Sequence, residues 1–85
     1  MNSVSEPRPH ARFITRGNCS LCEQAYPILE RLALEGLITL ERVTLEEHPE
    51  LITHYGTHIP VVLLSTGHTF AGHISEYRLR KALAE

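Results

Sequence analysis

Cys19 and Cys22 are the only two cysteines of the chain, and their three-residue spacing is its strongest chemical signal. Sulfurs at this spacing can cycle between dithiol and disulfide, or form half of a metal ligand set. The turn-rich triplet Arg16-Gly17-Asn18 precedes them and an apolar periodicity follows, so Cys19 falls where a strand ends and a helix starts. There, unsatisfied helical N–H groups and the positive end of the helix dipole stabilise a thiolate. In such settings the thiol pKa falls from about 8.5 to anywhere between about 3.5 and 7.5. Arg16, just upstream, adds a cation. Cys19 is the expected nucleophile, and Cys22, one helical turn further on, is expected to displace a mixed disulfide formed at Cys19.

Metal binding and passive packing are the competing readings. Zinc could draw on both cysteines with His54 and His58, which have ligand spacing. Against this, a predicted strand separates the cysteines from His54, and a domain with its own amphipathic elements does not need a structural metal; no metal site is expected. Cys22 alone could be core packing. Taken singly, His54, His58, His68 and His73 read as surface or packing residues, and His10, in the tail, has no role. His58 is the exception: if its loop faces Cys19, its charge could tune the thiolate near neutral pH.

The elements that must position these residues follow from patterning. Residues 1–10 are polar and proline-broken and read as a flexible tail; the domain runs over 11–85. Arg12 to Thr15 is a short strand. From Ser20 to Glu35, Leu21, Ala25, Ile28, Leu29 and Leu32 recur at helical steps, with Gly36 as the stop. Pro27 inside this helix predicts a bend. Leu37 to Leu45 reads as a strand, Pro49 opens a short helical segment through about His54, and Ile59 to Leu64 is an apolar strand. Ser65 to His68 turns into Thr69-Phe70-Ala71, and Ser75 caps a last helix over Glu76 to Ala84. The expected fold class is α/β, β-α-β-α-β-β-α, with a mixed four-stranded sheet flanked by helices.

The chain of 85 residues supports one modest core and excludes a second domain. A net charge of -2 with interspersed acids and bases lacks the electrostatic footprint of a nucleic-acid binder. No apolar run suits a membrane span or a signal peptide, so a cytoplasmic protein with resting thiols is expected. A permanent bridge over so short a loop would stabilise by only roughly 2 kcal/mol.

These features resemble the glutaredoxin branch of the thioredoxin superfamily over about residues 11–84. The likeness rests on Cys19-Ser20-Leu21-Cys22 opening a helix after a strand, and on Ile59-Pro60 opening the third strand. The resemblance implies a thioredoxin-like fold and a cis Ile59-Pro60 bond whose preceding backbone groups pair with an extended disulfide substrate. It places Arg16 where a basic residue meets a glutathione carboxylate, and Gly72 in a loose match to the stretch that binds the γ-glutamyl end. Pro27 resembles the helix-kinking proline of thioredoxins. The motif departs from the usual Cys-Pro-Tyr-Cys, so the reduction potential does not carry over. Thioredoxin proper fits less well: the chain has no tryptophan, and Phe13 stands where thioredoxins bury an aspartate.

The resemblance implies a thiol-disulfide oxidoreductase with catalytic Cys19 and Cys22 and substrate-binding Arg16, Ile59, Pro60 and Gly72. No bound cofactor is expected; glutathione would be a cosubstrate. Expected partners are a disulfide-containing protein or a low-molecular-weight thiol, with glutathione or a thioredoxin reductase resetting the bridge; the protein is expected to be a monomer. The alternative is a non-catalytic binding module, metal carrier or redox sensor using the same cysteines.

Overall fold

Side chains alternate across the first strand, and that alternation divides the molecule into two cores. The computed structural model describes residues 8–85. Strand β1 (His10–Thr15) sends Ala11 and Phe13 to one face and Ile14 to the other. It lies between β2 (Thr39–Thr44), parallel to it, and β3 (Val61–Leu64), antiparallel to it; β4 (Thr69–Ala71) completes the order β2-β1-β3-β4. Helix α1 (Ser20–Leu34) links β1 to β2, a 3-10 turn (Pro49–Leu51) and α2 (Ile52–Tyr55) lead to β3, and α3 (Glu76–Ala84) closes the chain.

On the first face, Cys22, Ala25, Leu29 and Leu32 of α1 and Leu79 and Ala82 of α3 pack on Ala11, Phe13, Val62 and Leu64. Each fully buried leucine there contributes roughly 1.5–3 kcal/mol of apolar burial. On the second face, Ile14, Val43, Leu45 and Val61 form a smaller cluster against which Leu51, Tyr55 and Leu63 pack. Ile59 packs against both.

Helix α1 continues through Pro27 and ends in a Schellman cap. Gly36 takes a φ of 82°, Leu37 N–H donates to the Leu32 carbonyl at 3.0 Å, and Gly36 N–H donates to the Ala33 carbonyl at 3.0 Å. The strand expected from Leu37 therefore starts at Thr39, because the cap uses Leu37 and Ile38 drops into the core. The third strand likewise begins at Val61 and not at Ile59, after a cis Ile59-Pro60 bond.

The first strand starts earlier than the apolar pattern suggests. His10 N–H donates to Ser65 Oγ at 2.8 Å, its carbonyl accepts from Ser65 N–H at 2.8 Å, and its ring hydrogen-bonds Thr39 Oγ1 at 2.7 Å. His10, expected in a tail without a role, is thus the first rung of the sheet. Residues 1–7 of that expected tail lie outside the described residues. At the other end, Ser75 Oγ caps α3 by accepting from Arg78 N–H at 3.2 Å. Arg80 then grips both Glu35 oxygens at 2.8 and 2.7 Å, tying α3 to the end of α1. Those hydrogen bonds hold the Glu35 carboxyl below its ordinary range.

Candidate functional site

The site begins at a left-handed residue. Asn18 has a φ of 53°, a conformation asparagine tolerates better than most residues, and it turns the chain from β1 into α1. Cys19 follows as the N-cap in extended geometry, and its Sγ accepts a hydrogen bond from Cys22 N–H at 3.2 Å. A sulfur thus occupies the place where a serine or aspartate oxygen usually satisfies an orphan donor. Cys19 and Cys22 are joined in a disulfide, with 5.2 Å between their Cα atoms. Cys19 is 9% exposed and Cys22 3%, so Cys19 is the more accessible of the two.

The approach to Cys19 is held by an acid from another loop. Glu46 Oε2 accepts from Gly17 N–H at 2.9 Å, clasping the turn before the cysteine to the segment after β2. That backbone donor, with Arg16 nearby, keeps the Glu46 carboxyl below its ordinary range. Sequence reasoning did not single out Glu46, because its partner is a backbone N–H brought near by the parallel pairing of β1 and β2.

Pro60 and Gly72 come together. Gly72, at a φ of 73°, donates its N–H to the Pro60 carbonyl at 2.8 Å and to the His58 carbonyl at 3.3 Å. Ile59 lies between these acceptors and packs against the cluster that holds both cysteines. Its own N–H and C=O make no hydrogen bond among the described residues. The His58 ring bonds the Thr57 hydroxyl beside it at 3.0 Å. His54 leans on the Tyr55 ring, and among the described residues no three His, Cys, Asp or Glu side chains converge as a metal-ligand group.

Arg16 is exposed and lines two clefts, neither of them lined by Ile59, Pro60 or Gly72. The larger, of about 540 Å³, lies between α1 and the C-terminal ends of β1 and β2 and reaches Cys22. Here Phe13 stacks on Tyr26 with ring centroids 5.8 Å apart, and the Arg42 guanidinium sits 5.2 Å above the Tyr26 ring. Sequence reading passed over Tyr26 and Arg42. The usable signal was the parallel register, which sets Phe13 beside Arg42.

A mixed sheet in this order, with α1 and α3 packed on one face and a cysteine pair at the head of α1, defines a thioredoxin-fold domain. Residues 11–84 match the family described as Glutaredoxin-like domain (DUF836), and the chain belongs to that family. Among solved structures, a mutant thioredoxin from Halobacterium salinarum matches with a TM-score of 0.73 at 19% identity, over 88% of this chain and 71% of that one. A structural-genomics target protein from X. campestris matches with a TM-score of 0.68 at 27% identity, over 87% of this chain and 95% of that one. No curated protein sequence matches. Among the described residues, no helix is long and apolar enough to cross a membrane.

Proposed function

We propose that the protein is a thiol-disulfide oxidoreductase whose working group is the Cys19-Cys22 pair. The observation that carries this is the position of Cys19: its sulfur is the N-cap of α1, facing the Cys22 N–H, and it is the more exposed of the two. In the dithiol form, backbone N–H groups and the helix dipole favour its thiolate.

The exchange takes place in two displacements. The Cys19 thiolate attacks one sulfur of a substrate disulfide; a bond to that sulfur forms, the substrate S–S bond breaks, and the departing thiolate takes up a proton. Cys22, deprotonated, attacks the Cys19 sulfur, closes the internal disulfide and releases the second substrate thiolate. Two electrons pass from the protein dithiol to the substrate, and two molecules of a small thiol such as glutathione return the protein to the dithiol. The unpaired N–H and C=O of Ile59 suit an extended peptide running past the cysteines, each pairing as in a sheet edge. The same reading sets the protein in the cytoplasm as a monomer, with the dithiol as its resting form.

Equilibration across glutathione redox buffers, read by intact mass, tests the proposal. Reversible bridging within about -180 to -270 mV is expected, the range of thiol oxidoreductases. Cysteines that stay reduced throughout would overturn it, as would a Cys19→Ser protein that kept full disulfide-reducing activity.

A further inference from the structure

The large cleft beside Cys22 has no part in the exchange as proposed, yet it has the size and chemistry of a ligand site. Its volume of about 540 Å³ falls within the roughly 300–1,000 Å³ usual for small-molecule pockets. One wall is the sheet: the register sets Phe13 beside Arg42 and Thr15 beside Thr44. The opposite wall is the first turns of α1.

The charges in this cleft are partly committed. Glu46 accepts from Gly17 N–H, and Glu47 accepts from the Thr44 hydroxyl at 3.0 Å. Arg42 is held over the Tyr26 ring, 5.2 Å from its centroid, and among the described residues its guanidinium N–H groups make no hydrogen bond. Among the described residues Arg42 makes no ion pair, and the Glu23 side chain on the facing wall has neither an ion pair nor a hydrogen bond. Pro27, also in the wall, lacks the N–H that would have met the Glu23 carbonyl, so a backbone acceptor stands beside that carboxylate. An uncommitted fork of donors thus faces an uncommitted group of acceptors. A phosphate dianion would meet three carboxylates here, and a simple cation two guanidinium groups; a dipolar ligand satisfies both walls.

We propose that this cleft binds the free α-amino-acid end of a low-molecular-weight thiol or disulfide, with its carboxylate on the Arg42 fork and its ammonium on Glu23. The choice of a sulfur compound over other amino acids rests on the redox function proposed above, and Cys22 in the wall places the bound end beside the cysteine pair. The binding itself needs no electron transfer.

The test is an amide NMR titration of the oxidised protein with S-methylglutathione, which carries the amino-acid end but no thiol to exchange. Saturable shifts are expected at Glu23, Arg42 and Thr44. Arg42→Gln, at an exposed position, and the N-acetylated probe should each raise the Kd by about tenfold, as loss of one charge-assisted contact does. Shifts confined to Ile59 and Gly72, no saturable shifts at millimolar probe, or cleft shifts unaffected by Arg42→Gln would overturn the proposal. The redox-buffer experiment separates the two readings. Bridging without cleft binding removes the cleft site and leaves the oxidoreductase; cleft binding without bridging does the reverse.

Discussion

Across one sheet, α1 and α3 bury Leu29, Leu32 and Leu79 completely, whereas the 3-10 turn and α2 on the opposite side have no fully buried residue and leave Ile52 52% exposed. The difference is one of length. Helix α1 has 15 residues and repeats its apolar stripe over several turns, while the four residues of α2 cannot present such a stripe. The cysteines belong to the deeper core, and the Ile59-Pro60 segment enters from the shallower side. The sulfurs therefore sit on the firmly held part of the molecule, and the backbone that would meet a substrate sits at its border with the less secured part.

Substitutions on the two faces measure that contrast directly. Leu29→Ala should cost about 3 kcal/mol in urea unfolding, because a fully buried leucine leaves a cavity between α1 and the sheet. Gly36→Ala should cost about 1 kcal/mol: no heavy atom lies within 4 Å of the added Cβ, so the loss is that of forcing an L-residue into a left-handed cap. On the other face, Ile52→Ala should change stability by less than about 0.5 kcal/mol. An Ile52→Ala loss as large as that of Leu29→Ala would break the comparison. Hydrogen exchange sharpens it further, with amides of α1 exchanging only through global unfolding and those of α2 through local opening.

The smallest expected effect belongs to the exposed clamp between α3 and α1. Glu35 has a lowered pKa in the folded protein, so its contribution is present above the unfolded value of 4.5 and is lost as pH falls through the lowered folded value. Arg80→Ala should remove that acid-limb dependence in unfolding curves at low salt, and added salt should shrink the difference between the two proteins. A clamp that kept its full effect in high salt would have to be acting through packing.

Residue types disclosed most of the deeper face and little of what crosses the sheet. The stripe of α1, its Gly36 stop and the Ser75 cap are local patterns, legible because their signals repeat or pair within five residues. The starts of β1 and β2 were not legible. His10 is placed by Ser65 and Thr39, far along the chain, and Leu37, though apolar and of strand type, is consumed by the helix cap. At the site, Cys19 and Cys22 announce themselves by spacing. Glu46 and Arg42 matter only after the β1–β2 register brings them opposite Gly17 and beside Phe13.

One atom of this site has two jobs. Cys19 Sγ is half of the cysteine bridge and also the acceptor for a first-turn amide of α1, that of Cys22. An oxygen cap keeps its electron density whatever happens elsewhere, but this sulfur changes its density whenever it is reduced, bridged or alkylated. The Cys22 amide proton is therefore a built-in reporter: its NMR frequency should differ between dithiol, disulfide and mixed-disulfide forms, and covalent events at Cys19 are written directly into the opening turn of α1.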